Sequence, residues 1–242
     1  MAEALAWGAL AASSLVLGAL LALGRRWPQR QVGLVLAFGA GALISAVSFE
    51  LAAEGLRVGG LGATAAGLGA GALTYFWMDG RIARRSSTGR ARGGRSQGED
   101  PGTALALGAF LDGIPEQLVL GIGLAGGEGV SAGLLVAIFV SNLPEAIGSA
   151  SEMRAAGTKP RAVLTLWLVV AAICTLASGA GYGLADLTSG DLQAAIDGFA
   201  AGALLVMLID SMIPEATRDS GRVAGLVTTL GFAVATALSS VS

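Results

Sequence analysis

Two short stretches place carboxylates where an apolar chain has little use for them. In Leu111-Asp112-Gly113-Ile114-Pro115-Glu116-Gln117, Asp112 and Glu116 stand four residues apart. In Val140-Ser141-Asn142-Leu143-Pro144-Glu145, Ser141 repeats that spacing to Glu145, and Asn142 lies three residues before it. Residues i and i+4 share one face of a helix, so each stretch predicts a stacked polar pair. Two carboxylates so placed repel each other in a low dielectric unless a proton or a cation sits between them. The prolines add acceptors: Pro115 frees the carbonyl of Leu111, and Pro144 frees that of Val140. Carboxylate, amide, hydroxyl and free carbonyl at one depth make an all-oxygen cation site.

The elements that carry these stretches are long and apolar. Of 242 residues, 54% are hydrophobic and 13% charged, and mean hydropathy is +0.71. Soluble domains carry about 25% charge, and runs of twenty apolar residues predict membrane-spanning helices. The fold class expected is an all-α integral membrane protein with eight spans in a single domain over residues 1–242. The spans fall near 4–24, 31–54, 58–79, 103–126, 130–152, 161–184, 192–215 and 222–241, with a basic cytoplasmic loop at 80–102. The first span ends in the basic flank Gly24-Arg25-Arg26-Trp27-Pro28-Gln29-Arg30, which reads as a retained span rather than a cleaved signal. Glycine is abundant, 38 residues, without the Gly-x-y period of collagen.

Basic residues test the span count independently. With both termini extracytoplasmic, the inner connections hold Arg25, Arg26 and Arg30, then Arg81 to Arg95, then Arg154, Lys159 and Arg161, then Arg218 and Arg222. Of the 15 basic residues, Arg57 alone falls outside. The positive-inside rule asks for this asymmetry, which a wrong count would scramble. The stretch Arg81–Arg95 is read as a disordered topology anchor, with anionic lipid as the other candidate partner. Cys174 is the single cysteine and lies mid-span, so no intramolecular disulfide is available.

An acidic side chain at mid-membrane costs roughly 2.5–3.5 kcal/mol on insertion scales. Asp112, Glu116 and Glu145 have apolar neighbours on both sides and need a reason to be there. Glu54, Asp79, Asp197 and Glu215 lie near span ends and are read as interfacial. Glu50 and Asp210 are candidate residues of an ion pathway. Ile213-Pro214-Glu215 repeats the Pro-Glu pattern a third time and is read as a helix exit.

At these residues the chain resembles the ZIP family of divalent metal transporters. The family shows His-Asn-x-Pro-Glu-Gly in its fourth span, and here the matching residues are Asp112-Gly113-Ile114-Pro115-Glu116-Gln117. Its fifth span carries a polar pair, any residue, Pro, then Glu or His, matched by Ser141-Asn142-Leu143-Pro144-Glu145. The likeness covers the eight spans, the external termini and the long inner loop after span three. It implies metal ligation by Asp112, Glu116, Ser141, Asn142 and Glu145. Family sites are often binuclear, whereas this chain retains ligands for one principal site. It has no histidine at all, and Asp112 stands where the imidazole would be. Oxygen ligands without imidazole favour a harder ion or a less selective site, although zinc also binds carboxylates.

The function expected is uptake of a divalent cation, zinc, manganese, iron or similar, into the cytoplasm across the cell membrane. The alternative is a ZIP-like sensor or scaffold without transport. An intramembrane enzyme is not expected: metallo- and rhomboid-type proteases need histidine, and the Gly-x-Gly-Asp of aspartyl types is absent. No cofactor is expected, the metal being cargo. The partners are the metal ion and the bilayer, with a homodimer allowed for and no nucleic acid.

Overall fold

The computed structural model describes residues 1–25, 27–90, 101–125, 132–185 and 189–239. Every described element is helical: α1 (Ala2–Gly24), α2 (Gln29–Ser45), a π-helical stretch π1 (Ala46–Ala52), α3 (Ala53–Arg90), α4 (Pro101–Ala125), α5 (Ala132–Ala155), α6 (Pro160–Leu184), α7 (Gly190–Met207), a second stretch π2 (Leu208–Met212), α8 (Ile213–Ser220) and α9 (Val223–Ser239). Among the described residues, five helical stretches are long and apolar enough to cross a membrane. They are Ala2–Gly24, Gln29–Met78, Leu134–Ala155, Pro160–Leu184 and Gly190–Ser220, and Gly113–Ala125 and Val223–Ser239 are shorter apolar helices. The 50-residue stretch Gln29–Met78 is not straight. Gly60 takes φ 73° and ψ −178° inside α3 and reverses the chain there, a conformation that glycine alone adopts without strain. The helix after this turn runs on to Arg90, past the expected span end, so the first part of the expected basic loop is helical. Arg81 stacks over the ring of Trp77 at 3.3 Å. Residues 91–100 lie outside those described.

The packing is that of a chain turned outward to lipid. Leu61, Leu73, Phe76, Leu176 and Leu226 point outward, while Ala4, Ala11, Ala12, Ala19, Ala37 and Ala40 fill the interior. Small residues bring helix backbones close where the surroundings are as apolar as the side chains. One buried cluster joins α2, π1, α7 and π2 to α4 and α5. A second joins α1, α5 and α6 around the fully buried Trp167.

The helix pairing repeats itself. α3 packs along α7 as α9 packs along α2, and α1 packs along α5 as α6 packs along α4. The repeat extends to sequence. Ala40-Gly41-Ala42-Leu43 recurs as Ala201-Gly202-Ala203-Leu204, and each run leads into a π-helical stretch. A side chain on Gly41 would overlap the Thr228 carbonyl of α9, and one on Gly202 the Leu68 carbonyl of α3. Gly231 and Gly71 stand in the same way against the carbonyls of Phe38 and Phe199. Each half then ends in Glu-x-x-Arg-x-x-Gly: Glu54, Arg57 and Gly60 in one, Glu215, Arg218 and Gly221 in the other. Gly60 and Gly221 both have positive φ, 73° and 64°.

One side chain ties the second cluster together at its arginine-rich end. Arg154 donates from Nη1 to the carbonyls of Ala22, at 3.0 Å, and Leu23, at 2.9 Å. These belong to the last turn of α1, whose carbonyls have no partner within the helix. Hydrogen bonds from a charged donor are worth about 1.5–3 kcal/mol. Arg154→Ala is therefore expected to lower the melting temperature in detergent, and Arg154→Lys to recover part of the loss. A melting curve unchanged by the alanine would show that α1 holds its end without this contact.

Candidate metal centre

Both motif stretches lie on helices that run through their prolines: Pro115 within α4 and Pro144 within α5. α4 and α5 pack against each other. Glu116 is buried, 2% exposed, and its Oε2 has no hydrogen-bond partner. Asn142 is equally buried and its Nδ2 has none either. A buried polar atom left without a partner costs about 1–3 kcal/mol, and the two helices carry one each. Glu145 is half-buried and lies within electrostatic reach of Glu116. Ser141 is buried, and its hydroxyl donates to the Ile138 carbonyl at 3.0 Å, leaving its lone pairs for another partner. Asp112 lies on α4, but its side chain is outside the described residues. Among the described residues, no three Asp, Glu, Cys or His side chains gather around one point.

Glycine shapes the surroundings. Gly39 of α2 faces the turn of α5 that ends in Pro144, where a side chain would meet the Val140 carbonyl oxygen at 3.3 Å and Pro144 at 3.7 Å. On the other side, Gly18 of α1 admits Ala146 and the Leu143 carbonyl. Gly113 has Cys174 of α6 beside it, where a Cβ would meet Sγ at 2.7 Å. Cys174 lies within electrostatic reach of Glu116, so the single thiol of the chain stands near that carboxylate. Gln117 is fully buried and donates from Nε2 to the Gly8 carbonyl at 3.4 Å, fixing α4 against α1.

The two pathway candidates lie on the two π-helical stretches. Such stretches are rare and are frequently found at functional positions. Glu50 of π1 accepts a hydrogen bond from the Ser239 hydroxyl of α9. Asp210 of π2 is exposed, beside the exposed Ile209. The structure thus brings Glu116 and Glu145 within electrostatic reach across the α4–α5 contact, with Ser141 and Asn142 buried one turn before Glu145 on α5, and sets Glu50 and Asp210 on the two π-helical stretches.

Two residues read as interfacial belong to the interior or its mouth. Asp197 of α7 is 2% exposed, and its Oδ2 has no partner; it is not a wet span-end carboxylate, because α3 covers it. Glu215 lies within electrostatic reach of Glu145. It lines a cavity of about 540 Å³ at the arginine-rich end, with Arg25, Trp27, Ser151, Arg154 and Arg218. Pro214 follows π2 within the continuous helical stretch Gly190–Ser220, so the third Pro-Glu copy lies in the last two turns before that helix ends. The sequence held the signal for Glu215 in that repetition. For Asp197 it held none beyond an acid close to an apolar run.

Comparison with known sequences decides the family. The profile described as "ZIP Zinc transporter" matches residues 91–239, more than half of the chain and all of α4 to α9. The chain belongs to the ZIP family. A ZIP-family chain with this set of apolar helices is a multi-pass membrane protein. It is also similar to the Arabidopsis thaliana protein described as "Putative zinc transporter At3g08650", with 30% identity over 193 residues, 78% of this chain. The match takes in 30% of that relative's length. The expected resemblance is borne out, and the α4–α5 contact falls inside the matched ZIP region.

Proposed function

We propose that the protein is a divalent metal carrier that takes its ion into the cytoplasm through an oxygen-lined site between α4 and α5. The observation that carries this reading is the pair of orphaned buried polar atoms, Glu116 Oε2 and Asn142 Nδ2, on adjacent helices that each contain a proline. A cation beside Glu116 would satisfy the carboxylate, and the asparagine would turn its carbonyl oxygen to the ion. Asp112, Glu116, Ser141, Asn142 and Glu145 form the proposed ligand set. Glu215 would receive the ion next and deliver it to the cavity at the arginine-rich end. With the turn at Gly60, eight crossings with both termini outside account for the arginine asymmetry and put that cavity on the cytoplasmic face. Exchange of the two halves pairs odd crossings with even ones, the inverted arrangement that supports alternating access in carriers.

Zinc is the first candidate, because ZIP-family membership and the similar Arabidopsis protein both carry that name. The oxygen-rich set also suits manganese. The test is uptake into proteoliposomes of zinc, manganese, iron, cobalt, cadmium and magnesium. Saturable uptake of at least one of them above protein-free vesicles is expected. Metal-dependent thermal stabilisation without flux would instead make the chain a sensor.

A further inference from the structure

The two halves differ at one buried place. Two residues before Phe38 stands Leu36, and two before its counterpart Phe199 stands Asp197. Four residues before Thr228 stands Ala224, and four before its counterpart Leu68 stands Thr64. The α2–α9 contact is thus built with Leu36 and Ala224, while the matching α7–α3 contact uses Asp197 and Thr64. All four are buried. The fold makes this joint with hydrocarbon in one half, so the carboxylate in the other is not there for packing.

Its surroundings run from solvent inward. Arg57 is 61% exposed, Glu54 is 32% exposed, and Asp197 is 2% exposed. Glu54 holds Arg57 by two contacts, Nε to Oε2 at 2.8 Å and Nη2 to Oε1 at 2.6 Å. Asp197 lies within electrostatic reach of Glu54, and its Oδ2 has no partner. Gly55, next to Glu54, packs on Thr64 and on the turn of α7 that precedes Asp197: a side chain there would meet Thr64 Oγ1 at 3.1 Å and the Ala194 carbonyl oxygen at 3.3 Å. The Thr64 hydroxyl donates to Gly60 at 2.9 Å, which leaves it an acceptor. At the opposite mouth, Arg218 approaches Glu215 at 3.7 Å.

We propose that Asp197, Glu54 and Thr64 form a second divalent-cation site at the outer mouth, a capture station that Arg57 occupies as a tethered cation until a metal displaces it. Two carboxylates, a hydroxyl and helix carbonyls suit a hard or borderline divalent ion. Arg57 is the lone basic residue expected at this face, and its exposed pairing with Glu54 is worth little enough to be exchanged. The station rests on the carrier reading for its role in uptake, but not for its capacity to bind.

Calorimetric titration of the full-length protein with zinc, cadmium and manganese separates the two. In Glu116→Gln/Glu145→Gln, one class of site is expected to survive. Adding Asp197→Asn should abolish it, and adding Arg57→Gln should tighten it roughly two- to fivefold. In the otherwise unmodified protein, Asp197→Asn should raise the KM of uptake by about tenfold with Vmax nearly kept, the mark of lost capture. Asp197→Leu with Thr64→Ala copies the Leu36–Ala224 joint and should fold with a melting temperature at or above that of the parent while losing the site. Binding that persists in that variant, or an affinity unmoved by Arg57→Gln, overturns the proposal. No binding in Glu116→Gln/Glu145→Gln, with binding in the parent, overturns it too and leaves the α4–α5 site standing. Uptake unimpaired in Glu116→Gln/Glu145→Gln sinks the α4–α5 site and leaves this one.

Discussion

Glu116→Gln and Glu145→Gln are each expected to reduce metal uptake by at least about a hundredfold, since even residues that only support metal ligands change affinity by 10–100-fold. Glutamine keeps the size and polarity of the side chain and removes only its charge, so a loss reports on the ion rather than on packing. Glu116 is the sharper test. It is 2% exposed with an orphaned Oε2, so it exchanges no contact with solvent that the substitution would alter. The double variant should be no worse than the worse single one, because ligands of one ion act as a unit and their losses do not add. Glu3, in the exposed first turn of α1, supplies the control, and Glu3→Gln should transport normally. Uptake within a factor of about two of the parent in both single variants would move the site elsewhere.

How much of this was legible in the sequence depends on what kind of signal each feature leaves. The Pro-Glu stretches stand out because a charge and a helix breaker inside an apolar run are each costly, and both were placed by type and spacing alone. The structure adds that they meet, since α4 packs on α5. A turn was expected at 55–57, between the second and third spans, whereas the chain turns at Gly60, inside the expected third span, because one glycine among many carries no mark of its φ. The repeat of the two halves escaped sequence reading for a related reason. It is written in where glycine meets a carbonyl, Gly41 with Thr228 and Gly202 with Leu68, and only Ala-Gly-Ala-Leu and Glu-x-x-Arg-x-x-Gly repeat as letters. Asp197 was misjudged because distance from a span end measures depth along the helix axis, not which neighbour covers the side chain. Its burial is set by α3, which the turn at Gly60 folds back against α7.

Gly41→Ala and Gly202→Ala are expected to have the largest effects on folding, and effects of similar size. In each case the added methyl overlaps a backbone carbonyl of the facing helix rather than a side chain that can rotate away. At Gly41 it would also come within 2.7 Å of the Phe232 amide nitrogen. Relief requires α2 to move off α9 as a body, which opens the neighbouring contact between Gly231 and Phe38 as well. Overpacking typically costs 1–3 kcal/mol where side chains can adjust, and a clash with backbone should fall at or above about 3 kcal/mol. Gly62 gives the opposite case, since nothing lies within 4 Å of a side chain placed there. Gly62→Ala should be neutral or stabilising by roughly 0.5–1 kcal/mol, through the helix propensity alone. Melting in detergent, read by the monodisperse fraction after heating, ranks the three. The same series bears on transport. If the glycine seams only hold the halves together, uptake should fall in proportion to the folded fraction. If α2 slides on α9 during the cycle, uptake per folded molecule should fall further. A Gly41→Ala protein with the parent's melting temperature would mean that the two helices do not approach as closely as this packing requires.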